Sequence, residues 1–289
     1  MSPANQQALD AVAGLLACPE CALGLEAHDR VLRCGHGHSF DIAKQGYVSL
    51  LTGASTKMTG DTAAMLDARA AFQGGGHFAP IAAAITDAVG PGGQSPGTER
   101  ASDTVLEVGA GTGYYLAGAL DAAPATRGIA LDVAKPAARR CARAHERAAS
   151  VLADAWRGLP LREHSVRAVL SVFAPRNPAE VARVLTEDGQ FVVATPTDRH
   201  LAELVGPLGM VTVDPDKDRR LDTAMSGHFD AVDRVLVEYS MKLGTVDVAN
   251  VVGMGPSAHH AAAAHPGLAA LPEVTEVTAS VLISTYRPN

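Results

Sequence analysis

The chain is short of the features that mark secreted, membrane-spanning and nucleic-acid-coating proteins. Its four cysteines in 289 residues are too few for a disulfide scaffold, which crowds cysteines into a short secreted sequence. No apolar run reaches the roughly 18 residues that a membrane span requires, so no membrane partner is expected. The opening MSPANQQALDAVAGLL has no basic residue, the first Lys or Arg being Arg30. It therefore lacks the positive start of a signal peptide, and a cytoplasmic location is expected. Positive charge is scarce overall: 24 Lys and Arg against 31 Asp and Glu leave a formal charge of −7, which excludes a protein that grips nucleic acid over its whole surface.

What is present is apolar material. A content of 47% hydrophobic and 19% charged residues supports a buried core and sets aside a disordered chain. Chains of this length tend to divide into about two folding units. The stretch 90–102 (GPGGQSPGTERAS) has no apolar periodicity and collects glycine, proline and serine, so it reads as a connector. Upstream, a turn-rich, cysteine-bearing stretch leads into helical spacing from Thr62 to Val89. Downstream, Thr104–Val108, Gly128–Leu131, Val151–Leu152, Val166–Val172 and Gln190–Ala194 read as strands. Between them Tyr115–Ala122, Lys135–Ala149 and Pro178–Leu185 read as helices. That alternation predicts an α/β domain, a mostly parallel sheet covered on both faces. Val232–Leu243 and Val274–Tyr286 supply a final antiparallel pair at its edge. The expected division is 1–55 as a small metal-bearing module, 56–102 as a helical connector and linker, and 103–289 as the α/β domain.

Cys18 and Cys21 form a CxxC turn, and Cys34 is followed by His38 after three residues. Two close ligand pairs on tight turns let four soft or borderline donors converge on one tetrahedral zinc. Four protein ligands close the ion to water, so the zinc is read as structural. His36 is the rival fourth ligand, and His38 is preferred on spacing. Cys141 has no such partner set and reads as a core residue.

Val105–Val108 is an apolar strand running into Gly109-Ala110-Gly111-Thr112-Gly113 and then a helix. Glycines there permit close backbone approach to a nucleotide-type ligand. Glu107 lies at the strand end, and Asp132 ends the next strand, where a carboxylate accepts ribose hydroxyls. Asp154 follows the third strand, where the adenine of S-adenosylmethionine commonly meets a carboxylate. No basic residue accompanies the first loop to bind a pyrophosphate. A methyl donor therefore leads over a dinucleotide.

The residues resemble the zinc-ribbon 23S rRNA (guanine-N1)-methyltransferases, in particular the branch that includes macrolide-resistance enzymes. The carriers are CPEC with CGHGHSFDIAKQGYVSLL, GDTAAMLDARAAF, GGHFAPI, VLEVGAGTGYYLA, SVFAPRNPAEVARVL, ATPTDRHLAEL and VVGMGPSAHH. The resemblance implies a Rossmann-like class I methyltransferase domain behind an RNA-recognising zinc ribbon, with a homodimer as the assembly. It implies methyl transfer from S-adenosylmethionine to N1 of a guanine in a 23S rRNA hairpin. It also places Phe78 and His200 beside the cofactor, with Tyr115 and Leu116 at the methionine end. One departure is GPSAHH, where the family tends to carry a tryptophan near His259.

Guanine N1 carries a proton at neutral pH, so the enzyme must position and deprotonate a base drawn out of the RNA loop. Asn177, just after the fourth strand, is a candidate for the base edge, and Arg176 for a phosphate. His259 and His260 are candidates for the general base, because an unperturbed histidine titrates near the working pH. The basic run Lys135–Arg147 (Arg139, Arg140, Arg143, Arg147) offers a helix face for RNA. The alternatives are a small-molecule methyltransferase and a non-enzymatic RNA binder on the same fold.

Overall fold

A computed structural model of the chain describes residues 2–51, 53, 56, 58, 60–91, 103–212, 217–255 and 266–289. In chain order the elements are α1 (Pro3–Val12), β1 (Leu25–His28), β2 (Val31–Cys34), β3 (Ser39–Asp41), β4 (Tyr47–Ser49), α2 (Ala63–Gly74) and α3 (Ala79–Val89). There follow β5 (Thr104–Val108), α4 (Tyr114–Ala122), β6 (Arg127–Asp132), α5 (Lys135–Cys141), β7 (Ala148–Leu152), β8 (Val166–Val172), α6 (Pro178–Val184) and β9 (Leu185–Pro196). The chain ends with α7 (Ala202–Leu208), α8 (Lys217–Met225), β10 (Phe229–Gly244), α9 (Thr245–Gly253) and β11 (Val274–Pro288).

Local chemistry starts these helices. Ser2 caps α1 by accepting the Asn5 amide, with Pro3 in the first turn, and Thr62 caps α2 by accepting the Met65 amide. Both leave few orphan donors at the helix start. β5 is buried at every residue, as befits a central strand covered on both faces.

β1, β2 and β3 make a small antiparallel sheet; the large sheet runs β10-β11-β9-β8-β5-β6-β7-β4. Neighbours from β4 to β9 are parallel, and β9-β11-β10 are antiparallel. From β5 the chain moves outward one way through β6 and β7, then returns to β8 on the other side. Strand order reverses there, and the crevice beyond the carboxyl ends of β5 and β8 is where such sheets bind ligands.

The final antiparallel pair is present, with β10 at the edge and a register shift between Ala231 and Asp233. The helix expected over Lys135–Ala149 stops at Cys141, because Ala148–Leu152 is taken up as β7 between β6 and β4. Burial in the sheet overrides the weak strand preference of alanine. Only part of the basic face goes with it, since Lys135, Arg139 and Arg143 stay exposed. Arg147 turns inward and donates to the carbonyls of Ala123 and Thr126 at 2.8 and 2.5 Å and to that of Leu120, satisfying the exposed carbonyl end of α4. Arg140 pairs with Asp67.

Among the elements with no counterpart in the sequence reading are α1 and β4. α1 covers one face of the sheet, with Leu9 and Val12 in a core shared with Ile129 and Val151. β4 pairs in parallel with β7 through Tyr47–Ser150, Val48–Val151 and Ser49–Leu152. Leu25 and Leu32 of the small sheet join that same core. α2 and α3, expected as a connector, cover the opposite face, where Phe72, Phe78, Ile81 and Ile85 pack with Leu116, Val192 and Val281.

Candidate active site and metal centre

The crevice is built on the turn after β5. Gly109 and Gly111 adopt φ of 70° and 56°, backbone that side chains seldom tolerate. A Cβ at Gly109 would also lie 2.7 Å from the Ala174 side chain. This tight turn aims main-chain N–H groups at the neighbouring strand end. The Gly111 amide donates to Asp132 Oδ2 at 2.9 Å, and the Ala134 amide to Asp132 Oδ1 at 2.8 Å. Asp132 is thus fixed at the end of β6, its pKa raised by burial and held back by these two amides.

Glu107 is buried on β5 and accepts the Leu116 amide at 3.1 Å. Burial, with the nearby Asp132 adding to it, pushes Glu107 up to about 8, so the carboxyl is mainly protonated at neutral pH. Asp154 accepts the Trp156 amide at 3.0 Å and the Thr56 hydroxyl at 2.5 Å.

A cavity of about 650 Å³ gathers Phe78, Glu107, Gly109, Thr112, Tyr115, Asp132, Asp154 and His200, within the size range of small-molecule and cofactor sites. Gly111 and Gly113 serve from behind. Gly111 donates to Asp132, and Gly113, at φ 77°, starts α4. Leu116, expected at the methionine end, does not line the cavity. Its side chain is fully buried in the core, and only its amide reaches the site, through Glu107. Cys141 is buried beneath the turn, with its thiol 3.4 Å from the Gly111 carbonyl.

One wall is aromatic. Phe173 stacks on His200 with ring centroids 5.8 Å apart, and Phe78 lies 5.9 Å from His200 and 6.3 Å from Phe173. Phe173 holds φ of 53° and stays exposed, a conformation costly for a bulky residue and typical of functional sites. His200 Nδ1 accepts the Ser280 amide at 3.2 Å. The neutral ring therefore carries its proton on Nε2, which makes His200 a donor in this arrangement and not a base.

Asn177 and Arg176 do not reach this cavity. After Pro175 the chain turns to start α6, and Asn177 is spent as its cap, accepting the Glu180 amide and donating to the Ala155 carbonyl, both at 3.4 Å. Arg176 lies with it in a small separate cavity beside Val108, Val181 and Phe191, and burial lowers its pKa. His259 and His260 lie outside the described residues.

The residues that sequence reasoning missed come from α2 and the segment before it. The Thr112 hydroxyl donates to Gln73 Oε1 at 2.7 Å. Arg69 pairs with Asp61 at 2.5 Å and donates to the Met254 carbonyl at 2.8 Å. All three side chains, with Met65 and the exposed Trp156, line the cavity. The stretch GDTAAMLDARAAF was the signal, but on a helical pattern its charges resemble an ordinary solvated face.

In the N-terminal module, Cys18, Cys21, Cys34 and His38 bring one ligand atom each within 4.8 Å of the others. Cys21 Sγ lies 3.6 Å from Cys34 Sγ, and His38 Nδ1 lies 3.6 and 3.4 Å from Cys18 and Cys34. Metal–ligand bonds of about 2.3 Å to sulfur and 2.0 Å to nitrogen give tetrahedron edges of about 3.5–3.8 Å, so this donor set fits one zinc ion. Two turns shape it: the Ala22 amide donates to the Cys18 carbonyl at 2.8 Å and the Gly37 amide to the Cys34 carbonyl at 2.9 Å. His36 is exposed and outside the cluster.

Residues 16–55 match the zinc-ribbon family model described as RlmA, N-terminal. A 23S rRNA (guanine(748)-N(1))-methyltransferase of Streptomyces fradiae is 43% identical over 275 residues, covering 94% of this chain and 96% of that one. A Micromonospora griseorubida chain provisionally named a 23S rRNA (guanine-N(1)-)-methyltransferase is 45% identical over 287 residues, covering 94% and 97%. Among solved structures, the YcgJ protein of Bacillus subtilis overlays 71% of this chain and 97% of its own at 14% identity with a TM-score of 0.47. With relatives above 40% identity along nearly its whole length, the chain belongs to the family of zinc-ribbon 23S rRNA (guanine-N1)-methyltransferases.

Proposed function

We propose that this chain transfers a methyl group from S-adenosylmethionine to N1 of a guanine in a hairpin of 23S rRNA, with altered macrolide binding to the ribosome as the cellular consequence. The observation that carries the reading is one cavity at the strand-order reversal holding the glycine turn, Asp132 and Asp154. The names of the two relatives supply the acceptor.

S-adenosylmethionine brings a methyl carbon made electrophilic by its sulfonium. Asp132, already oriented by two amides, accepts the ribose hydroxyls, and Asp154 stands for the adenine edge. Phe78, Tyr115, Glu107, Gly109, Thr112 and His200 complete the walls. Phe173 presents an exposed ring at the mouth, suited to a guanine swung out of its stack. Holding N1 and the methyl carbon in line supplies most of the acceleration. Cys18, Cys21, Cys34 and His38 hold one structural zinc, and the ribbon contributes to RNA contact. The chain works in the cytoplasm, as a homodimer in this reading.

The test is to incubate the zinc-loaded protein with unmodified 23S rRNA and labelled S-adenosylmethionine, then map the label by primer extension. The expected outcome is a single stop at one hairpin guanine, since N1 methylation blocks pairing. Label absent from RNA while the donor still binds would shift the acceptor to a small molecule.

A further inference from the structure

Aromatic side chains are scarce, 4% of the chain, and most are packed away. Among the described residues only two Trp, Tyr or Phe rings are exposed, Trp156 at 53% and Phe173 at 40%, and both border the same cavity. Large rings left in water are unfavourable, and two of them kept at one mouth mark a place that a partner covers. The short turn Ala155–Arg157 holds the indole there. Asp154 caps that turn, its carboxylate accepting the Trp156 amide and its carbonyl the Arg157 amide, both at 3.0 Å. The two neighbours on the turn serve different hollows. Trp156 lines the cofactor-sized cavity, whereas Arg157 lines a groove of about 590 Å³ that runs from Asp154 to the Cys18 turn of the ribbon. Arg162 and Arg183 line the same groove; Arg183 is held by Glu180 at 2.7 Å, while Arg157 and Arg162 are exposed.

We infer that Trp156 stacks on the nucleotide next to the target guanine, and that the strand leaves the cavity along the groove toward the ribbon, with Arg157 and Arg162 on its phosphates. This rests on the RNA-methylating reading above. A base held between two rings needs them roughly 7 Å apart, one contact distance on each side. The strands that lead to Trp156 and Phe173, β7 and β8, are separated in the sheet by β5 and β6, about 14 Å at ~4.8 Å per step, so each ring serves its own base. A guanine swung out of its stack leaves its neighbour bare on one side, and an indole face replaces the lost partner whatever that neighbour's identity. The groove also answers the electrostatic problem of an acidic chain. It gathers three arginines at one place on a molecule of formal charge −7, where phosphates require cations. With the Cys18 turn as its far wall, a strand lying in it touches the ribbon and the methyltransferase part at once. The competing role for Trp156 is a wall for the adenine of the donor.

Because Trp156 is the single tryptophan of the chain, its emission reports on this position alone and the decisive test needs no variant to fold. The full zinc-loaded chain, saturated with S-adenosylhomocysteine, is titrated with the 23S rRNA hairpin that carries the modified guanine, while filter retention measures RNA binding independently. RNA is expected to quench the emission beyond any effect of S-adenosylhomocysteine, and an abasic site at one of the two nucleotides flanking the guanine is expected to relieve the quenching. Retained RNA with unchanged emission would overturn the proposal. So would quenching that S-adenosylhomocysteine alone completes, which assigns the ring to the donor, or quenching relieved only by an abasic target position. Trp156→Ala is expected to weaken hairpin binding roughly five- to a hundredfold, and Trp156→Phe to regain most of that loss. Arg157→Gln and Arg162→Gln are each expected to lower the slope of log affinity against log salt by about 0.7; unchanged slopes in both would remove the strand from the groove. An RNA that wild type does not retain at all would overturn the RNA-methylating reading itself.

Discussion

Glu107 shows how one side chain carries the tension between stability and function. It is 1% exposed, and the Leu116 amide and the charge of Arg69 only partly offset its burial, leaving the carboxyl at about 8 against an ordinary 4.5. A carboxyl raised on folding is held more tightly as the acid in the native state. The stability it contributes is therefore complete below pH 4.5 and is lost progressively as pH climbs through about 8, the folded value. Denaturant midpoints at pH 5, 6.5 and 8 should show the ligand-free wild type weakening relative to Glu107→Gln, which cannot ionise. Parallel curves for the two proteins across that range would mean that Glu107 is already ionised in the fold. A cationic donor in the cavity would favour the charged form, so saturating S-adenosylmethionine should shrink the difference.

At the scale of elements, the zinc ribbon and the sheet differ in how much they owe to packing. β1, β2 and β3 span only three or four residues each, too little to hold a fold without help. Leu25 and Leu32 nevertheless pack into the core beneath the large sheet, so metal removal should open the ribbon without melting β5–β9. Zinc present at a thousand times its dissociation constant contributes about 4 kcal/mol, which chelation should remove from the global stability. In hydrogen exchange, amides of 25–41 should lose protection under chelator while those of 104–108 and 166–172 keep it. Loss of protection in both regions together would show a single cooperative unit. The elements legible from sequence were those with a local signal: the apolar runs of β5, β6 and β8, the glycine turn, and the paired cysteines. β4 was not, because three residues become a strand only through pairing with Ser150, Val151 and Leu152 about a hundred positions later. The extent of α5 was misread because Arg147, which looked like helix surface, is bound by carbonyls of another helix. Arg69 and Asp61 were hidden for a similar reason: their meaning lies in the glycine turn and α9, which no local pattern brings near them.

For the whole molecule, the boundary between residues 55 and 56 divides the sequence more cleanly than it divides the fold. Leu9, Val12, Leu16, Leu25, Leu32 and Val48 are all buried in one cluster with Ile129, Val151 and Leu161 of the methyltransferase part. β4 also closes the edge of the large sheet beside β7. Uncovering even five such apolar side chains costs about 8–15 kcal/mol at roughly 1.5–3 each, as large as the total stability of an ordinary domain. It would also leave β7 as an exposed, apolar edge, which invites association. A protein beginning at residue 56 should therefore fail to give a cooperative unfolding transition and should aggregate, although it retains every cofactor residue named above. The full chain should unfold in urea with the signal of Trp156, at the cavity, and the amide signal of the sheet moving together. A truncated protein with a sharp transition of its own would show instead that the ribbon is an independent module. Its contacts with Ile129 and Val151 would then serve only to set its position for RNA.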